Sequence, residues 1–293
     1  MVAHLPFKEG VVGPNPTRVT MTIETDTIYN MDCIEGMKNI PDASIDCIIC
    51  DLPYGITSCS WDAVIPFNEM WEQYDRIAKD NAPIVLFSQQ PFTSMLIASN
   101  VNDFKEEIIW RKNRASSGLH AKQRHLKVHE NIIVFSKGKG YTYNPQKWSV
   151  APERIIARKK FVYNENNNII GFHKERTKKV DNGTRYPISV IDYKVPYSPK
   201  QNSSTRNGDY RIHPTQKPVD LLRYLVRTFS NENDVILDNC IGSGTTAIAA
   251  MLENRHYIGF EINSEFFDLA KTRIDTFKSE NCCEKTNDII SFE

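Results

Sequence analysis

Two short stretches of the chain hold residues whose types and spacing could do chemistry. The first, Asp51-Leu52-Pro53-Tyr54-Gly55, directly follows the apolar run Ile45 to Cys50. The Asp51 carboxylate and the Leu52 peptide oxygen are two neighbouring hydrogen-bond acceptors. Pro53 fixes its own φ and keeps Leu52 extended, which steadies that oxygen. Acceptors aimed at the two N–H groups of an exocyclic amine favour its pyramidal form and release a lone pair otherwise delocalised into the ring. The chemistry suggested is methylation of such an amine, with Tyr54 as the aromatic face on which an extruded base stacks.

The second stretch is Asp234 to Asp238, an apolar strand, then the turn Asn239 to Gly244, then a helix over Thr245 to Asn254. Glycines in such a turn let the backbone approach a ligand, and the helix start offers free N–H groups. The next strand, His256 to Glu261, ends in an acid 19 residues after Gly242, near the ~20 expected for a carboxylate that binds ribose hydroxyls. Gly242-Ser243-Gly244-Thr245-Thr-Ala247 also fits the loose dinucleotide pattern, so the turn alone leaves three readings: a dinucleotide, S-adenosylmethionine, or no ligand. A dinucleotide sets its pyrophosphate on the helix start. S-adenosylmethionine instead needs acceptors for its amino group and ribose, which Asp238 and Glu261 would supply.

The elements that must position these stretches alternate along the chain. Short apolar runs at Ile45 to Cys50, Ile84 to Phe87, Ile108 to Trp110, Ile132 to Phe135, Val235 to Leu237 and Tyr257 to Phe260 read as strands buried on both faces of a parallel sheet, with helices between them. Pro218 to Phe229 has apolar residues at helical spacing, with Pro218 in the first turn. The expected class is α/β, a doubly wound, mostly parallel sheet. Asp51 then sits at a strand's carboxyl end, where open α/β sheets bind ligands. Four spans are expected: a flexible extension 1–20, a catalytic half 21–137, an inserted polar lobe 138–212 and a cofactor half 213–293.

With 293 residues and 40% hydrophobic composition the chain can bury a full core. Basic and acidic residues number 36 each, which excludes a uniformly basic or acidic protein. The balance hides an asymmetry: 23 basic and 7 acidic residues fall between Arg111 and Lys217, leaving 13 and 29 elsewhere. An acidic body joined to a basic middle suggests a polyanion met by one face. Arg111, Lys112, Arg114, Lys122, Arg124 and Lys127 form a run without an acid, read as a loop on the Asp51 edge that contacts phosphates; a solvated charged loop is the plainer alternative.

No stretch reaches the roughly 18 apolar residues of a membrane span, and no export pattern opens the chain. The seven cysteines suit reduced thiols in a cytoplasm, and Cys47-Ile-Ile-Cys50 reads as a buried strand rather than a zinc or redox pair. His125 and His129 precede Glu130 rather than flanking it, so no metal site is expected.

With these motifs in place, the chain resembles the DNA amino-methyltransferases that modify adenine N6 or cytosine N4, in the permuted order of catalytic motif, target-recognition segment and cofactor motif. Asn30-Met-Asp32-Cys33, Ser88-Gln-Gln-Pro-Phe92, Glu107-Ile-Ile-Trp110, His129-Glu-Asn-Ile-Ile-Val-Phe135 and His213-Pro-Thr-Gln-Lys217-Pro218 match further blocks in the family's order. The match covers about Asp26 to Phe277. The resemblance implies a Rossmann-like methyltransferase fold and S-adenosylmethionine as cofactor. Its implied cofactor residues are Asp32, Cys33, Asp51, Lys217, Asp238, Asn239, Gly242, Ser243, Gly244, Thr245, Glu261 and Ile262, and its catalytic residues are Asp51, Leu52, Pro53 and Tyr54.

Double-stranded DNA is the implied partner, specified by the inserted lobe, while a homodimer and a cognate nuclease are family-level expectations; a cytoplasmic protein of a prokaryote or phage follows. Two departures stand out. The family's Asp-Pro-Pro-Tyr is Asp-Leu-Pro-Tyr here, and its Asp-Pro-Phe is Asp238-Asn239-Cys240. The leading Asp favours adenine. Rival readings are cytosine N4, a catalytically silent DNA-binding protein, an NAD(P) oxidoreductase, and RNA as substrate.

Overall fold

Alternation along each strand builds the core. In β2 (Cys47–Asp51) Ile48 and Cys50 face one side while Cys47 and Ile49 face the other, and β3 (Ile84–Ser88) divides Ile84 and Leu86 from Val85 and Phe87 in the same way. All of these are buried, as a sheet covered on both faces requires. The structure, a computed structural model, describes residues 21–55, 62–116, 118, 121–150, 183–196 and 216–287. The expected extension 1–20 and much of the expected lobe lie outside the described residues.

Among the described residues the main sheet has eight strands in the order β1-β10-β9-β2-β3-β5-β4-β8, with β1 Thr27–Asn30, β4 Phe104–Ser116, β5 Lys127–Phe135, β8 Val190–Asp192, β9 Val235–Asp238 and β10 His256–Glu261. A two-stranded ribbon, β6 (Trp148–Ser149) with β7 (Thr184–Arg185), stands apart from it. One face is covered by α1 (Cys33–Met37), α2 (Phe67–Ile77) and α3 (Phe92–Ser99), which contribute Met37, Met70, Tyr74, Ile77 and Leu96. The other face carries α4 (Val219–Phe229), α5 (Thr245–Leu252) and α6 (Ser264–Asn287). Leu221, Leu222, Leu225, Val226 and Phe229 of α4 are all buried at helical spacing.

The expected α/β class with a mostly parallel sheet is observed, and it differs from the expectation in detail. From β1 to β3 the sheet is parallel, but β5 pairs antiparallel with both β3 and β4. Ile108–Trp110 is the middle of a 13-residue strand, because a hairpin arm runs past the edge of the core. Its outer residues are exposed, and a strand solvated beyond its core carries no apolar run for the sequence to show. Pro218 caps α4 with extended backbone rather than lying in its first turn. Residues of the expected lobe also return to the body. Asn144 donates from its backbone to Thr228 and from its side chain to Ser230, and β8 joins the main sheet beside β4.

The chain winds outward from β2 to β3 in one direction and from β9 to β10 in the other. The strand order therefore reverses between β2 and β9, and the crevice of such a sheet opens at the carboxyl ends of those two strands. Those ends are Asp51 and Asp238.

Candidate active site

A cleft of about 810 Å³ opens at this reversal. Its walls come from four places: the ends of β1 and α1 (Met31 to Glu35), the segment after β2 (Asp51 to Tyr54), the turn after β9 (Asp238 to Ser243), and Phe260, Glu261 and Ile262. Trp110, Lys112, Arg114 and Glu130 of the β4–β5 hairpin, with Gln216 and Lys217 before α4, close it from the far side. Both chemical stretches singled out in the sequence thus face one space.

The glycine turn is built for close approach. Gly242 and Gly244 have φ of +50° and +75°, a region that costs a side chain roughly 1 kcal/mol or more. Gly242 donates its N–H to Glu261 Oε2 at 3.0 Å, and Asn263 donates to Oε1 at 2.9 Å. Each carboxylate oxygen can accept a second bond, so Glu261 is anchored by backbone and retains capacity toward the cleft. Burial pushes its carboxyl up, against the pull of those backbone donors. Asp238 is held similarly, accepting from the Cys240 N–H at 3.1 Å and the Thr246 hydroxyl at 2.6 Å. Burial raises its carboxyl to about 6. Gly244 does not line the cleft. It caps α5, where an added Cβ would stand 3.1 Å from Ile274 of α6, so close packing of α5 on α6 also requires a glycine there.

The remaining cofactor candidates fall as follows. Asp32 caps α1 by accepting from the Glu35 N–H at 3.1 Å. Cys33 is buried but still lines the cleft, Ser243 and Thr245 lie on its floor, and Ile262 is 62% exposed at its rim. Asn239, in the place where the family pattern puts proline, accepts the Tyr74 hydroxyl at 2.6 Å in the core. Cys33, Cys47, Cys50 and Cys240 are free thiols.

At the other end, Asp51 accepts the Tyr54 hydroxyl on Oδ1 at 2.6 Å and the Lys217 ammonium on Oδ2. Tyr54 is fixed from behind by Phe92, ring centroids 5.3 Å apart. From below, the Tyr54 and Gly55 N–H groups donate to one oxygen of buried Asp62, at 2.8 and 3.0 Å. Leu52 is buried and Pro53 lines the cleft beside it. Lys217 is 8% exposed, lies 5.1 Å from the Phe87 ring centroid, and has Glu130 Oε2 at 3.4 Å. Glu130 Oε1 receives Lys112. Two partly buried acids thus face two ammonium groups. Burial, with the nearby Glu130 carboxylate adding to it, raises the Asp51 carboxyl against the pull of Lys217 and the Tyr54 hydroxyl, whereas the burial of Glu130 is outweighed by Lys217 and Lys112 together, which hold that carboxyl below its usual range.

Glu130 and the Tyr54 hydroxyl were not picked out by sequence reasoning. The hydroxyl has a local signal, a phenol three residues beyond a carboxylate in a Pro-containing turn, but Glu130 has none, since its partners come from other strands.

The basic run divides. Arg111, Lys112 and Arg114 lie on β4 and Lys127 opens β5, which corrects the expected loop. Arg111 makes a double contact with Asp192 at 2.5 and 2.7 Å, and Lys112 is spent on Glu130. Arg114 donates to the Pro196 carbonyl at 3.1 Å on the cleft wall, Lys127 donates to the Gln90 carbonyl at 3.2 Å, and Lys122 and Arg124 are exposed between the two strands.

Comparisons with known proteins agree on one family. A model described as DNA methylase matches residues 45–272. The chain is 26% identical over 276 residues to the type II methyltransferase M1.MboII of Moraxella bovis, covering 85% of this chain and 96% of that one. It is 29% identical over 278 residues to the DNA adenine methyltransferase YhdJ of Escherichia coli (strain K12), covering 90% and 86%. Among solved structures, the M1.HpyAVI–SAM complex superposes with a TM-score of 0.53 at 24% identity, over 84% of this chain and 98% of that one. The cytosine-N4-specific PvuII DNA methyltransferase does so at 0.58 and 14%, over 88% and 92%.

Proposed function

Since this chain belongs to the DNA methylase family of N6-adenine and N4-cytosine amino-methyltransferases, we propose that it methylates N6 of an adenine turned out of double-stranded DNA. S-adenosylmethionine is the cofactor of this family. The observation that carries the reading is the meeting of Asp51-Leu52-Pro53-Tyr54 and the Gly242 turn in one cleft at the strand-order reversal.

In this reading Glu261, already oriented by two backbone N–H groups, accepts from the cofactor ribose, and Asp238 and the turn N–H groups hold its remaining polar atoms. Asp32, Cys33 and Ile262 border the adenine end. The target amine docks with its N–H groups toward Asp51 and the Leu52 carbonyl, which draws its lone pair out of the ring. The nitrogen attacks the methyl carbon, the carbon–sulfur bond breaks with its electrons going to sulfur, and the amine's surplus proton passes to Asp51 or water. Tyr54 supports the base as a stacking face and keeps one Asp51 oxygen in place.

Adenine is favoured by the leading Asp51 and by the likeness to a relative named as an adenine methyltransferase. The likeness to a cytosine-N4 enzyme, at 14% identity, bears on the fold. Exposed Lys122 and Arg124, with Arg114 at the cleft wall, are the candidate phosphate contacts, and they would make DNA affinity salt-dependent. A cytoplasmic protein of a prokaryote or phage is the setting this reading implies.

The test is to incubate the protein with unmethylated genomic DNA and S-adenosylmethionine bearing a deuterated methyl group, digest the DNA to nucleosides and weigh them. Labelled N6-methyldeoxyadenosine is expected. Labelled N4-methyldeoxycytidine would move the assignment to the other base, and no labelled nucleoside would overturn the activity.

A further inference from the structure

The carboxylate that must receive the target amine has no vacant oxygen. Tyr54 donates to Asp51 Oδ1 at 2.6 Å and Lys217 sits on Oδ2. An ammonium on that oxygen also draws off the negative charge needed to polarise an amine. The tyrosine can stay, because an oxygen accepts two bonds. The ammonium must move or the amine meets a neutralised acceptor. Next to it is a carboxylate oxygen with room: Glu130 Oε2 is buried, makes no hydrogen bond among the described residues, and lies 3.4 Å from Lys217 Nζ. Its sister oxygen is held by Lys112, so Glu130 is fixed in place while Oε2 stays available.

We propose that Glu130 is a positioning residue that takes the Lys217 ammonium from Asp51 as the target amine arrives, an inference that rests on the amine methylation proposed above. The shift needed is short, from one carboxylate to its neighbour across a 3.4 Å gap, and Lys217 keeps a counter-charge throughout. That continuity matters because a buried ammonium left unpaired costs several kcal/mol. The charged and titratable groups around the pair are Asp51 and Tyr54 from the β2 end, Lys112 from β4, Glu130 and Lys127 from β5 and Asp238 from β9. Of these only Glu130 and Asp51 contact Lys217 as acids.

Glu130→Gln removes the alternative site while keeping the shape. Single-turnover methyl transfer at saturating cofactor should fall tenfold or more, with the KM for S-adenosylmethionine and the melting temperature little changed. Its rate should keep climbing with pH where the wild type is level, because deprotonating Lys217 then becomes the route by which Asp51 is freed. Adding Lys217→Gln to Glu130→Gln removes the clamp itself and should restore part of the rate. A second readout needs no turnover. In carbon-13 spectra of the protein without cofactor or DNA, Asp51, assigned by its loss in Asp51→Asn, should titrate lower in Glu130→Gln than in the wild type, because an undivided ammonium faces it.

A wild-type rate with a wild-type pH profile in Glu130→Gln would overturn the proposal. So would an Asp51 titration that does not move, even if no DNA proved to be a substrate; that last result would fail the activity separately.

Discussion

The two ends of the cleft hold their carboxylates by different means. At the glycine turn, Glu261 and Asp238 take their donors from Gly242, Asn263 and Cys240 backbone N–H groups and from the adjacent Thr246 hydroxyl. These donors cannot leave without unfolding the turn. Across the cleft, Asp51 takes one bond from nearby Tyr54, but its other oxygen and Glu130 Oε1 are held by Lys217 and Lys112, long side chains from distant segments that can exchange partners. A site that only grips a ligand gains from fixed donors, since nothing reorganises on binding. A site that must receive a proton-bearing amine and pass a proton on gains from partners that can be displaced. On the function proposed above, the first is the binding end and the second the reacting end.

The largest effect that would sharpen this contrast is expected at Asp51. Asp51→Ala should lower the rate of methyl transfer about 100-fold or more, while calorimetry shows S-adenosylmethionine binding close to wild type. Loss of binding in step with rate would erase the division between the two ends.

A smaller effect concerns stability at the fixed end. Folded Asp238 keeps its proton until about 6, against 3.8 for the free carboxyl. As pH rises through that window the unfolded chain releases the proton first, so the folded state loses up to ~3 kcal/mol. Asp238→Asn should remove that part of the decline, read as the difference between urea-unfolding curves of variant and wild type at pH 4 and pH 7. A pH-independent difference would mean that Asp238 is not the buried acid described here.

Much of the binding end was legible in the sequence because its parts are consecutive. Strand, glycine turn, helix and following acid lie within Asp234 to Glu261, and the bonds of Asp238 and Gly242 span 19 residues at most. The sheet's central strands were legible for a similar reason: a short run buried on both faces has few alternatives. The reacting end was legible only as Asp51 and its neighbours. Lys217 stands 166 residues from Asp51, and Lys112 meets Glu130 across two strands of a hairpin.

Nothing in local spacing says that Lys112 turns inward while Lys122 and Arg124 stay in water. A run of basic residues reads the same whether its members are spent on buried acids or free for phosphates. The antiparallel β4–β5 arm was hidden for a related reason, since its outer half is solvated and shows no apolar alternation.

The most direct test of the account is a crystal structure with S-adenosylmethionine bound. The ribose should lie on Glu261, the adenine should be bordered by Asp32 and Ile262, and the sulfonium methyl should be directed across the cleft at Asp51 and Tyr54. A cofactor seated with its methyl turned away from Asp51, opening onto another side of the sheet, would contradict it.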